Sequence, residues 1–115
     1  MTEFQPSTRP TYSPWGHNPD AIKIANGIWS ISTPRHGGYH LSPERVAAMP
    51  SDWLARSFNG QGQRGWFEED VDWCLVALAF PDDWKAYHGE EHGTRLLEAA
   101  KNTFNYWIAK KETAA

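Results

Sequence analysis

The longest apolar run in the chain, residues 66–80 (WFEEDVDWCLVALAF), begins with a cluster of acids, and any fold must bury one and solvate the other. Fifteen residues exceed an ordinary strand and suit a helix. At 100° per residue, Phe67, Val71, Cys74 and Leu78 gather on one stripe and Trp66, Trp73, Ala77 and Phe80 on a second. The pattern predicts a central helix, buried on more than one side. Glu68, Glu69 and Asp72 fall on the remaining arc, near the N-terminus where carboxylates suit the helix dipole. Asp70 falls between the apolar stripes. It is either a cap on the first backbone amides or a buried carboxylate that needs a partner, His36 or Arg35 first among them.

The clearest turn signal is Asn26-Gly27 inside IKIANGIWSIST, which predicts a hairpin with a type I′ turn. TPRHGG (33–38) reads as a turn and residues 39–41 as a third strand. Ser42 then caps a short helix with Pro43 at its first position, and Pro50 stops it. Residues 51–58 suggest a further helical turn capped by Ser51 or Asp52, and NGQGQRG (59–65) a mobile loop. Residues 82–93 read as a polar connection, and residues 94–109 as an amphipathic helix with Lys110 and Lys111 at its C-terminal end. The expectation is an α+β fold, a small antiparallel sheet (hairpin plus third strand) packed against about three helices. Residues 1–14 form a flexible polar arm and residues 15–115 a single domain, with Trp15 where the arm begins to dock.

Function classes narrow by composition. A net charge of −3 provides no field to draw the chain to nucleic acid or an anionic membrane, and no apolar run is long enough to span a bilayer. The single cysteine, Cys74, lies on an apolar stripe and reads as an inert core residue. With no basic-then-apolar leader, the expected location is cytoplasmic. Seven tryptophans are bulky core material, and any left exposed would anchor a protein partner or a second copy of the chain in a homodimer.

Candidate chemistry concentrates at HGGYH (36–40). His36 as general base, Arg35 with the Gly37 and Gly38 amides as anion clamp, and Asp70 as orienting carboxylate would make a small hydrolase or transferase site. The alternative is a tight turn that needs its glycines, with a His36–Asp70 contact locking sheet to helix. HGEEH (88–92) has the spacing of one zinc-enzyme motif, but its glycines and the lack of a third ligand favour a solvated loop. No metal site and no cofactor are expected. Glu68, Glu69 and Asp72 make a candidate partner-binding patch.

The spaced pattern GIWxxSTxxHGGxxLS, followed by WFEEDxxW, resembles an uncharacterised domain family of phage and plasmid proteins. The residues that carry it are Gly27, Thr33, His36, Gly37, Gly38, Leu41 and Ser42, then Trp66, Glu68, Glu69, Asp70 and Trp73, over about residues 15–80. The resemblance brings no activity. It implies a mobile-element accessory protein that binds a host protein or complex, for instance to inhibit a defence system such as CRISPR.

Overall fold

A computed structural model describes residues 3–109, so Lys110 and Lys111 lie outside the described residues. The fold is α+β. Its centre is a four-stranded antiparallel sheet in the order β3 (Asp20–Ala25), β4 (Ile28–Ser32), β5 (Gly37–Leu41), β6 (Trp66–Glu68). A two-stranded ribbon, β1 (Tyr12–Ser13) with β2 (Gly16–His17), precedes it. Five helices accompany them: α1 (Pro43–Ala47), α2 (Ser51–Ala55), α3 (Trp73–Ala79), α4 (Pro81–His88) and α5 (Glu90–Thr103). A π-helical turn, Phe104–Ala109, continues α5.

The predicted hairpin forms, but its turn is not type I′. Gly27 alone takes a positive φ (83°), whereas type I′ needs one at Asn26 too, and a bulge between Lys23 and Ala25 absorbs the difference. The third strand begins at Gly37. Ser42 caps α1 as expected, its Oγ accepting from the Arg45 amide at 3.3 Å. In contrast α2 has no side-chain cap, and Pro50 precedes it. Phe58–Gln61, across the expected boundary between the helical turn (51–58) and the loop (59–65), make a 3-10 turn.

The largest correction concerns residues 66–80. They are a strand, a turn and a seven-residue helix instead of one helix. Trp66, Phe67 and Glu68 pair with His40, Tyr39 and Gly38. This pairing requires the glycine, because a Cβ on Gly38 would collide with the Phe67 carbonyl oxygen and lie 2.7 Å from Trp15 Cη2. Residues 82–93 are also helical, not a polar connection. Pro81 starts α4, with Asp82 and Asp83 in its first turn, and Gly89 (φ 91°) separates it from α5.

Alternation along the strands gives the sheet two covered faces. On one, Ile28, Leu41 and Phe67 are buried against Cys74, Leu75, Val76 and Ala77 of α3 and Leu97 and Ala100 of α5. The other carries Trp29, Ile31, His40 and Trp66, and there Trp29 and Trp66 meet the N-terminal segment. Trp15 and Tyr12 stand edge-on to Trp66, with centroids 5.7 and 5.9 Å away, and Trp29 Nε1 donates to Ser7 Oγ. The segment expected to be a free arm is therefore laid along the domain from Phe4 onward. Phe4 and Phe80 flank the buried Arg45 guanidinium at 3.8 and 4.6 Å from their centroids. The same side chain donates from Nε to the Asn26 carbonyl and pairs with Asp83 at 2.7 Å.

Two outcomes follow from this packing. Gly38→Ala should lose about 3 kcal/mol or more, read as a lower urea midpoint, because backbone and not a flexible side chain blocks the new methyl. His40 lies with its ring 4.4 Å from that of Trp66 and its Nδ1 without a partner, and burial holds its pKa below the ordinary 6.5. Protonation thus favours the unfolded chain. The stability conferred by neutral His40 is complete above pH 6.5 and is lost as pH falls through the depressed folded pKa. Thermal melts of wild type should fall over that window, and His40→Phe should flatten the fall. Part of the slope will remain, since His88 is shifted the same way.

Candidate functional site

The acidic run at 68–72 does three different jobs. Glu68 ends β6, and its carboxylate turns back over the following residues. Oε2 accepts from the Asp70 amide at 2.8 Å, and Oε1 from the Val71 and Asp72 amides at 2.7 and 2.9 Å. These amides lie in the turn between β6 and α3, and a charged acceptor binds them well. Asp72 is only 4% exposed, and its Oδ2 accepts from the Phe58 amide at 2.6 Å. Glu69 and Asp70 are exposed.

This corrects two expectations from the helical wheel. Asp70 is not between apolar stripes, because no helix passes through it, and it is Glu68 that binds the amides of the turn before α3. Asp72 is not on a solvated arc; it fastens the 3-10 turn to the start of α3.

Glu69 stands on a ridge between two clefts. On one side Trp15, His36, Gly37, Phe58, Glu68, Glu69 and Asp70 line a cleft of about 340 Å³, with Trp15 and Phe58 stacked at 6.0 Å. His36 and Asp70 are thus brought to one cleft, as the candidate site requires. No hydrogen bond or ion pair joins them among the described residues. The His36 amide and carbonyl instead bond Thr33 Oγ1 at 3.1 and 2.6 Å, which closes the turn. Arg35 is exposed and does not line the cleft.

On the other side of Glu69, a cleft of about 370 Å³ is lined by Tyr39, Trp73, Trp84, His88, His92 and Leu96. Tyr39 and Trp84 are 5.5 Å apart at 58°, Trp73 and Trp84 6.2 Å apart at 28°, and the His88 and His92 rings 5.7 Å apart. Trp84 Nε1 and His88 Nε2 are buried without hydrogen-bond partners. Burial and nearby His92 hold His88 below its ordinary pKa, and burial, with Tyr87 and Glu69 close by, raises that of Tyr39. Sequence reading missed this cleft because it took residues 82–93 for a loop. The available signal was Pro81 as a first helical residue, which puts Trp84 and His88 one turn apart on one face.

Among the described residues no group of three His, Cys, Asp or Glu is placed to hold a metal ion. Nor is any helix there long and apolar enough to cross a membrane. Cys74 is fully buried, and its thiol is pushed up to about 12 by burial and by the Asp72 and Glu68 carboxylates, so it stays protonated in the core.

Fold and site define a small α+β domain whose acidic turn separates two aromatic-walled clefts. The chain belongs to the family described as a domain of unknown function, DUF7007, which matches residues 8–114. The match extends well past residues 15–80, taking in α5 and most of the N-terminal segment. No curated protein matches the chain, and no solved structure does.

The division among the acids gives a direct test. Glu68→Ala should cost about 2 kcal/mol by freeing amides at the turn, whereas Glu69→Ala should stay within about 0.5 kcal/mol. Urea titration of the two variants beside wild type measures the contrast.

Proposed function

We propose that this chain is an accessory protein of a phage or mobile element that acts by binding a host protein or protein complex, with a defence assembly such as CRISPR the target. The mobile-element context comes from the sequence resemblance. The observation that supports binding is the exposed pair Glu69 and Asp70 on a turn that Glu68 holds in place, with an aromatic cleft on either side. Carboxylates so placed steer a basic partner and fix its register, and desolvated aromatic side chains supply affinity. The binding patch is therefore Glu69 with Asp70, and Glu68 and Asp72 serve to hold it.

A second reading has one observation in its favour. His36 and Asp70 share a cleft floored by Trp15 and Phe58, where a small hydrolase or transferase site would use His36 as base. In that reading His36→Ala abolishes turnover of a substrate without loss of partner binding.

Binding is tested by capture from a lysate of the host strain on immobilised protein, wild type beside Glu69→Lys/Asp70→Lys. The variant should melt within a few degrees of wild type, since neither residue is buried. A stoichiometric partner held by wild type and lost by the variant is the expected result. Capture of nothing by wild type, or of the same partner by both, would count against the reading.

A further inference from the structure

The cleft made by Tyr39, Trp73, Trp84, His88, His92 and Glu69 has chemistry of its own. Three aromatic rings wall it, one carboxylate stands at its edge, and neither it nor the neighbouring cleft has a lysine or arginine in its lining. Indole and phenol faces attract cations, strongly when the site excludes water. Glu69 adds a full negative charge. Electrostatics therefore select a positive group.

Hydrogen bonding narrows the choice. Trp84 is 2% exposed, and its Nε1–H, a donor only, has no acceptor. His88 Nε2 has no partner either, and a neutral imidazole can accept there. Groups of this kind are satisfied by an occupant that offers a donor and an acceptor together. A quaternary ammonium ion offers neither. An arginine residue within a peptide offers both: planar N–H donors on a cation that stacks on aromatic faces, and a main-chain carbonyl oxygen.

We propose that this cleft receives an arginine side chain from an exposed basic segment of the protein partner. The guanidinium lies against the partly exposed Tyr39 and Trp73 rings, with Glu69 as its counter-ion and His88 Nε2 accepting one N–H. Trp84 Nε1 donates to a carbonyl of the same segment. Because Glu69 lines both clefts, the segment crosses the ridge there, and its next basic residue meets Asp70 beside His36. This rests on the protein-binding reading above and adds the partner's chemistry.

The test uses a capped glycine-arginine-glycine-arginine peptide, its lysine counterpart, and a citrulline counterpart that keeps the shape of arginine without the charge. Indole N–H signals of the labelled protein are followed by NMR, with those of Trp73 and Trp84 assigned by Trp73→Phe and Trp84→Phe. The arginine peptide should shift both signals saturably, the lysine peptide more weakly and the citrulline peptide not at all. Glu69→Gln, at an exposed position, should weaken the arginine peptide about tenfold with its melting temperature unchanged. Equal binding of the citrulline peptide, no saturable shift with the arginine peptide, or indifference to Glu69→Gln would overturn the proposal. If lysate capture still depends on Glu69 and Asp70 while the arginine peptide fails, this assignment falls and the protein-binding reading stands. If the peptide binds and no protein is captured, the reverse holds.

Discussion

The close approach of β5 to β6 at Gly38 is the constraint on which the rest of the molecule hangs. With no side chain there, the Phe67 carbonyl and the Trp15 ring both come against the glycine backbone. That contact admits residues 66–68 as the fourth strand and presents Phe67 to the core and Trp66 to the N-terminal segment. It also fixes where the chain leaves the sheet. Glu68 is therefore in position to gather three amides, and α3 starts five residues after it. The HGG and EED segments belong together through this strand pairing, with the Glu69 amide donating to the Gly37 carbonyl at 3.1 Å.

Arg45 closes the opposite side by a different kind of force. A guanidinium is only weakly hydrated for a cation, so two phenyl faces, a carbonyl and a carboxylate can replace its water. Burial of such a charge is tolerable because partners are supplied: the Phe4 and Phe80 rings, set edge-on to each other, Asn26 at Nε and Asp83 at Nη1. One side chain thereby joins the N-terminal segment, the β3–β4 turn, α1 and the start of α4. A polar stretch with no apolar period of its own is held down by its few aromatic residues and by groups the domain already carries.

Local signals in the sequence were legible where one segment's chemistry decided the outcome. Ser42-Pro43 starts a helix and Asn26-Gly27 a turn wherever they occur, and the α+β class follows from their order. Residues 66–80 were not legible in that way. Their apolar residues serve two elements, and periodicity over the whole stretch blends a strand facing a sheet with a helix facing the same core. What separates the two is a partner strand about 28 residues earlier and a carboxylate that bonds forward to the backbone. The wheel could not tell an acid that binds the amides of a turn from a solvated one, because the distinction lies in where the main chain turns. Asp72 shows the same limit, since the Phe58 amide that buries it is 14 residues away in sequence. The second cleft was hidden for a further reason: Trp84, His88 and Tyr39 converge only after α4 has packed across the sheet.

Electrostatics then assign the neighbouring acids different value. The charges of Glu68 and Asp72 are spent on backbone amides a few ångströms away, whose dipoles offset much of their outward field. Glu69 and Asp70 keep theirs for solvent. In water, with screening over about 10 Å, two such charges do little for stability or for raw affinity. Their effect is on the approach and orientation of a partner. Affinity has to come from surface that excludes water, which on this molecule means the indole and phenol walls on both sides of the ridge. An acidic turn between two aromatic clefts divides these tasks between neighbouring groups, and it is held in place by Glu68 and Asp72, the two acids of the run whose carboxylates turn inward to the chain.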